Sequence, residues 1–255
     1  MVEVLPLTIP SLSGRKKRRV YVYLPEEAKK DPKARFPVLY MFDGHNVFFD
    51  KDATYGKSWG MKAYMDKTRL PLIIVAVECN HGKNYARLKE YSPFDFEFGD
   101  CGLIEGKGEK YMRWLIKKLK PVTDENYPTL PDRRHTYIAG SSMGGLMSLY
   151  AVLHHNDVFS RGACLSPSLW TNPEKVEEMI DTANVSPDTV LYMDYGENEM
   201  KRRSVMGACY KAALHKLLDK GVLLTSRIVP GGEHCEASWE KQIPFFLNTL
   251  TYANE

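Results

Sequence analysis

Strand-like and helix-like segments alternate along almost the whole chain, and this alternation limits the fold more than any other feature of the sequence. The runs "PVLYMFDG" (37–44) and "PLIIVAVE" (71–78) are continuously apolar, as the central strands of a sheet covered on both faces are. In "EKYMRWLIKKLKP" (109–121), apolar residues recur at helical spacing. This spacing predicts a helix, and we expect Pro121 to end it.

The second half of the chain continues the pattern. Helices are expected after the strands "HTYIAG" (135–140) and "TVLYMDYG" (189–196), and a last strand with the loop that follows it (222–234) precedes a final helix (238–250). We therefore predict an α/β fold with a mostly parallel sheet, helices on both faces and a single domain over residues 1–255. In such sheets the active groups lie at the carboxyl ends of the strands.

Charge and cysteine usage exclude several classes of protein. The formal net charge of +3 is too mild to indicate nucleic-acid or membrane binding, and no apolar run reaches the length of a membrane span. The basic run "GRKKRR" (14–19) is interpreted as a solvated strand edge. The N-terminus lacks the pattern of a signal peptide. Five scattered cysteines without a C-x-x-C spacing argue against a disulfide framework or a zinc site. We expect a cytoplasmic protein without metal or organic cofactor.

The motif "GSSMGG" (140–145) lies between a predicted strand and a predicted helix. It contains the pattern G-x-S-x-G, in which a tight turn lifts the central serine out of the sheet and into a cleft. The register selects Ser142 as a candidate nucleophile and leaves Ser141 packed under the turn. The amide of the next residue, Met143, then points at the oxyanion that develops during attack.

A serine nucleophile needs a base, and in this architecture the histidine comes last in the chain. His215 lies within a predicted helix, where a surface or boundary role is expected. His234 lies in the irregular loop "PGGEHCEASW", where functional side chains are often found. We therefore expect His234 to be the base.

The acid that would orient His234 is less clearly marked. The segment "LYMDYGENEM" contains Asp194 within a strand, and Glu197 and Glu199 in the loop expected after it. An acid of this kind must reach the histidine and stabilise its protonated form. From the residues alone, Asp194 and Glu199 are about equally good candidates, and Glu197 is third.

Motifs along nearly the whole chain, from Arg19 to Leu250, resemble the putative-esterase family of α/β-hydrolases. That family includes enterochelin esterases, esterase D, feruloyl esterase domains and the antigen 85 acyltransferases. The resemblance rests on "VYVYLP", "PVLYMFDGHNVF", "YGKSW", "RLKEYSPF", "GSSMGGLMSLYAV", "FSRGACLSPSLW", "YGENE" and "GGEHCEASWEKQIPFFL". It implies an α/β-hydrolase fold and leaves the substrate open.

The resemblance also implies roles for individual residues. Ser142 matches the nucleophile and His234 the base. The family's acid stands at the end of a G-x-x-[DE] stretch, which here favours Glu199 over Asp194. The Asp-Gly pair of "FDGHNVF" implies that the backbone N–H of His45 completes the oxyanion hole with that of Met143.

Three further residues match recurrent positions beside the family's site. Trp59, Arg87 and Tyr91 are expected either to contact substrate or to serve as core aromatics and a structural ion pair. The aromatic, glycine-rich segment 92–108 is expected to be either a flap over the cleft or an ordinary surface loop.

Together these features predict a serine carboxylic-ester hydrolase that works through an acyl-enzyme and acts on small soluble or carbohydrate-linked esters. Two alternatives use the same residues: an acyltransferase, and a thioesterase similar to S-formylglutathione hydrolase. A third alternative is a non-catalytic binding protein on a hydrolase fold. The oligomeric state is left open.

Overall fold

The computed structural model describes residues 1–202 and 204–252. Its main sheet has eight strands in the order β1-β2-β4-β3-β7-β8-β9-β10, and a separate hairpin pairs β5 with β6. The strands are β1 (Val2–Thr8), β2 (Lys17–Tyr23), β3 (Val38–Met41), β4 (Ile73–Val77), β5 (Phe96–Glu97), β6 (Leu103–Ile104), β7 (Thr136–Ser141), β8 (Arg161–Leu165), β9 (Val190–Gly196) and β10 (Leu223–Val229). β2 is antiparallel to both of its neighbours, and the strands from β4 to β10 of the main sheet run parallel. The predicted mostly parallel sheet is confirmed.

Helices follow most of the strands. They are α1 (Pro10–Ser13), α2 (Glu27–Lys30), α3 (Met61–Thr68), α4 (Ala86–Glu90), α5 (Gly108–Trp114), α6 (Lys120–Asn126), α7 (Met143–His154), α8 (Pro173–Thr182), α9 (Glu197–Arg202), α10 (Ser204–Asp219), α11 (Glu236–Glu240) and α12 (Ile243–Thr251). Among the described residues, none of the helices has the length and apolar character needed to cross a membrane.

Two apolar cores, one on each face of the sheet, explain why the central strands are continuously apolar. In β3, Val38 and Tyr40 face one core, whereas Leu39 and Met41 face the other. Side chains of α5, α7, α8 and α10 pack in the first core, and those of α3, α11 and α12 pack in the second. Since successive residues of a strand point to opposite faces, both sets must be apolar.

The helix expected to end at Pro121 continues past it. A π-helical turn, Leu115–Leu119, joins α5 to α6, and Pro121 lies within the first turn of α6. A proline removes one backbone donor and crowds the preceding turn, and a helix tolerates that where its hydrogen-bond pattern is already irregular. The final helix is likewise divided, into α11 and α12, with a proline in the first turn of α12.

The basic run near the N-terminus is solvated at Arg15, Lys16 and Lys17, but the strand that it enters is not an edge. β2 is covered on its outer side by β1, a strand that the sequence did not reveal. Arg18 is buried, and its guanidinium donates two hydrogen bonds of 2.6 Å to the Glu90 carboxylate. Arg19 is held by Glu78 and Asp52. These arginines therefore fasten β2 to the carboxyl side of the sheet.

Candidate active site

The turn after β7 holds Ser142 in an unusual backbone conformation. Its φ is 58° and its ψ −124°, a backbone conformation that residues other than glycine rarely adopt and that costs about 1–3 kcal/mol. Hydrogen bonds compensate: the Ser142 amide donates to Leu165, and its carbonyl accepts from Ser168. A Cβ on Gly140 would lie 2.7 Å from the backbone of Gly144, so only glycine fits there. Strand, turn and helix follow one another as the motif predicts.

Glu199, and not Asp194, is the carboxylate that contacts His234. Glu199 Oε2 lies 2.6 Å from His234 Nδ1. Glu199 is in the first turn of α9 rather than in a loop, and it is buried. The His234 side chain, on the loop between β10 and α11, is 41 % exposed. A buried carboxylate that orients an exposed imidazole is the arrangement that general-base chemistry requires.

Asp194 is buried within β9 and accepts hydrogen bonds from groups around that strand. It accepts hydrogen bonds from the Ser166 amide at 3.1 Å and the Tyr192 hydroxyl at 2.8 Å. Burial raises the pKa of Asp194 to about 7, although both hydrogen bonds act in the opposite direction. The other candidate, Glu197, instead binds Lys201 and the amide of Gly231.

A short chain of hydrogen bonds behind Glu199 was not foreseen from the sequence. Trp239 Nε1 donates to Ser166 Oγ at 3.1 Å, and Ser166 Oγ donates to Glu199 Oε1 at 2.6 Å. The Gly196 amide donates to the same oxygen at 3.0 Å. With Oε1 satisfied in this way, Oε2 is left for His234. No motif signals Ser166, because its role depends on β8 and β9 being neighbours.

The turn after β3 places the backbone of His45 at the same edge of the sheet. Asp43 has a φ of 53°, and a Cβ on Gly44 would lie 2.4 Å from the Ala76 carbonyl oxygen, which explains the Asp-Gly pair. His45 is the middle residue of the 3₁₀ turn Gly44–Asn46, and Met143 begins α7. Amides at the start of a helix have no partner within it, so both are available as donors.

Two cavities open at Ser142 and His234. The larger, which we call the major cleft, has a volume of about 690 Å³ and reaches His45, Arg87 and Glu236. The smaller, the minor pocket, has a volume of about 230 Å³, and Ser168, Trp170, Glu199, Arg202 and Met206 complete its lining. The Ser142 hydroxyl lies 3.4 Å from that of Ser168. A ligand could thus extend to both sides of Ser142.

The three residues expected beside the site occupy different places. Arg87 lines the major cleft and forms a bidentate ion pair with Asp43, with distances of 2.8 and 2.7 Å. Burial alone would raise the pKa of Asp43, but the adjacent Arg87 guanidinium outweighs it and holds that pKa below its usual value. Trp59 and Tyr91 are buried and line neither cavity, which favours the core role for both.

Aromatic packing explains the burial of both residues. Trp59 packs against Trp239 and Phe246, and Tyr91 packs against Phe42 and Tyr111. The Tyr91 hydroxyl accepts a hydrogen bond from the Asp43 amide at 3.3 Å. Both aromatics support the site from the core, which is the second of the two roles that the sequence left open.

Glu236 is a cleft residue that sequence reasoning missed. It lies two positions after His234, and its Oε1 accepts a hydrogen bond of 3.1 Å from Asn46 Nδ2. Burial raises the pKa of this carboxyl. Glu236 therefore ties the histidine loop to the turn after β3. The H-x-E spacing can be read from the sequence, but it does not indicate a cleft residue until the two loops are known to be in contact.

The segment 92–108 folds back on itself as the β5–β6 hairpin. Phe98 packs against Tyr85 and Trp170, and the Cys101 thiol donates to the Tyr85 hydroxyl at 2.8 Å. Since Tyr85 lines the major cleft and Trp170 the minor pocket, the hairpin supports both walls.

The strand order and the serine turn together define an α/β-hydrolase fold, as expected. The family model described as "Putative esterase" matches residues 11–248. The chain belongs to this family and is an esterase.

Similar proteins include two from Bacillus subtilis (strain 168). The uncharacterized protein YbbA is 27 % identical over 202 residues, which cover 76 % of this chain and 74 % of YbbA. Ferri-bacillibactin esterase BesA is 24 % identical over 250 residues, covering 91 % and 82 % of the two chains. Among solved structures, a ferulic acid esterase superposes with a TM-score of 0.72 at 17 % identity, covering 98 % of this chain and 97 % of the other. That last likeness shows the fold alone.

Proposed function

We propose that the protein hydrolyses carboxylic esters through a Ser142–His234–Glu199 triad and an acyl-enzyme. The observation that carries this proposal is the 2.6 Å contact between Glu199 and His234 at the mouth of the two cavities that Ser142 also lines. A carboxylate on Nδ1 leaves Nε2 as the nitrogen that can accept a proton.

In the proposed reaction, His234 removes the proton of the Ser142 hydroxyl as its oxygen attacks the ester carbonyl. The amides of His45 and Met143 stabilise the oxyanion of the tetrahedral intermediate. His234 then protonates the leaving alcohol, and water attacks the acyl-enzyme in the same manner. The Glu199 carboxylate stabilises the protonated imidazole.

The substrates we propose are small soluble esters. One relative is named a ferri-bacillibactin esterase, and a structural neighbour is a ferulic acid esterase. The minor pocket, with Trp170 and Met206 in its wall, suits a compact acyl group, and the larger cleft suits the alcohol. The five cysteines are free thiols, in keeping with a reducing compartment such as the cytoplasm.

The test is hydrolysis of p-nitrophenyl acetate and butyrate by the wild type, Ser142→Ala and Ser141→Ala, each folded to the same extent by circular dichroism. We expect Ser142→Ala to lose about 10⁴-fold or more in kcat. Ser141→Ala, in the same motif, is the matched control and stays within about tenfold of the wild type, since it removes no reacting group.

Three results would redirect the proposal. An inert wild type favours a binding protein on a hydrolase fold, whereas an active Ser142→Ala shows that Ser142 is not the nucleophile. Diversion of the acyl group to an added alcohol, in place of free acid, identifies an acyltransferase. Faster turnover of a matched thioester panel identifies a thioesterase.

A further inference from the structure

Three side chains with metal-binding atoms meet in the wall of the major cleft. They are His45, which follows β3, and Cys79 and His81, which follow β4. One ligand atom from each lies within 4.8 Å of the others. β3 and β4 are adjacent parallel strands, so the segments that leave their carboxyl ends lie side by side. The topology, and no local motif, creates this cluster.

Each histidine has a hydrogen-bond or ion-pair partner at its Nε2. His45 Nε2 lies 3.0 Å from the Thr54 hydroxyl, and His81 Nε2 lies 3.2 Å from a Glu78 carboxylate oxygen. His45 is only 3 % exposed, and its Nδ1 has no hydrogen-bond partner among the described residues. Histidines that bind metals usually donate the other ring N–H to an oxygen, which fixes the ring and its tautomer. Both rings have that arrangement here.

We propose that His45 Nδ1, Cys79 Sγ and His81 Nδ1 bind a zinc ion. Two imidazoles and a thiolate suit zinc better than calcium or magnesium, which prefer oxygen ligands. The cysteine proton is released to solvent on binding. Three protein ligands leave a fourth, tetrahedral position open to the cleft for water.

The geometry of the cluster is close to that of such a site, although burial and the Asp43 carboxylate raise the pKa of the Cys79 thiol. A tetrahedral zinc ion sets its nitrogen and sulfur ligands roughly 3.3–3.6 Å apart. The cluster must therefore contract, and His81, whose side chain is 45 % exposed, is the ligand with room to move. The nearby Arg87 cation is compensated by its bidentate pair with Asp43.

Zinc at this position would inhibit the esterase. The ion would sit in the major cleft beside the turn that carries the His45 amide, where the substrate must enter. Hydrolysis by the wild type should therefore fall over the same zinc concentrations at which the site fills, and a chelator should restore it. This inference goes beyond the proposed esterase reaction, and metal binding is measured without any ester present.

The experiment uses the full chain with any affinity tag removed. Co²⁺ serves as the spectroscopic probe, and Zn²⁺ competes with it. The wild type should bind one Co²⁺ with a thiolate charge-transfer band in the near ultraviolet. Cys79→Ala should lose that band, and His81→Ala should weaken zinc binding at least about tenfold. Cys101→Ala and His215→Ala, which change exposed residues outside the cluster, are the matched controls and should bind like the wild type.

Absence of the thiolate band in the wild type would overturn the site. So would unchanged zinc affinity in His81→Ala, which alters an exposed loop residue and decides the matter even if Cys79→Ala fails to fold. Zinc bound at these residues without loss of ester hydrolysis would overturn the inhibitory role. Because the binding arm needs no activity, failure of the zinc site and failure of the esterase proposal are distinguishable.

Discussion

Two polar clusters at the candidate site, which we call the serine wall and the arginine wall, satisfy their polar groups in different ways. On the serine wall (Ser142, Glu199 and His234), the acid is fully hydrogen-bonded and directs one oxygen at the histidine. On the arginine wall (Asp43, His45 and Arg87), an ion pair satisfies Asp43, while His45 Nδ1 lacks a partner among the described residues. The Glu199 carboxylate is therefore held in one orientation toward His234, whereas the arginine wall has a ring nitrogen to which a ligand could bind.

The largest expected effect compares the two carboxylates near the serine wall. Glu199→Gln should lower kcat for p-nitrophenyl butyrate by about 10³–10⁴-fold, because the amide cannot stabilise a protonated His234. Asp194→Asn is the matched change in a residue that does not contact the histidine, and it should cost less than about tenfold. If Asp194→Asn proves the more damaging, Glu199 is not the acid.

The pH dependence of stability tests the buried acid. The pKa of Asp194 is about 7 in the folded protein against an ordinary value of 3.8. Between these values the folded chain keeps a proton that the unfolded chain has lost, so folding stability falls as the pH rises from about 4 to about 7. The contribution is at most roughly 4 kcal/mol.

Urea unfolding across that pH range checks this expectation. Asp194→Asn mimics the protonated acid and should remove this part of the pH-dependent loss of stability. The free energy of unfolding of the variant should therefore rise relative to that of the wild type as the pH approaches 7. Parallel pH profiles for the two proteins would show that Asp194 titrates normally.

On the arginine wall, Asp43→Asn should lower the free energy of unfolding by about 2–3 kcal/mol. Removing one partner of a fully buried pair costs roughly 3–5 kcal/mol, and the Arg87 side chain is 31 % exposed, so its charge is partly solvated. The double variant Asp43→Asn, Arg87→Met should lose less free energy of unfolding than the sum of the losses in the two single variants. Strict additivity in chemical denaturation would mean that the ion pair contributes little.

The smallest effect tests the support behind Glu199. Trp239→Phe keeps an aromatic ring but removes the N–H that orients Ser166, so kcat should fall by up to about tenfold. Trp59→Phe changes the aromatic packed against Trp239 and should alter thermal stability more than kcat. A raised KM in Trp59→Phe would instead indicate that Trp59 contacts the substrate.

Sequence reasoning was sound where local backbone geometry determines the result. The alternation of segments predicted the parallel sheet, and the crowding around Gly140 explains why the serine turn has a readable motif. The capping of α8 by Asn172, whose side chain accepts a hydrogen bond from the Lys175 amide, is another local feature of this kind. Each of these features depends on residues close together in the chain.

Features that depend on which strands are neighbours could not be predicted. The residues alone left Asp194 and Glu199 equal, because only the fold shows that one is enclosed in β9 and the other faces His234. The scattered cysteines argued against a zinc site, yet adjacent strands bring Cys79 to two histidines. Arg18, within the basic run, was interpreted as exposed because its partner Glu90 lies 72 residues away.

Labelling by a fluorophosphonate, followed by peptide mass spectrometry, tests the central claim most directly. Such a reagent reacts with a serine that an adjacent base activates. The account predicts one adduct per chain, on Ser142, formed at wild-type rate in Asp194→Asn and much more slowly in Glu199→Gln. An adduct on Ser168 or Ser141 instead, or no adduct in a folded wild type, would contradict it.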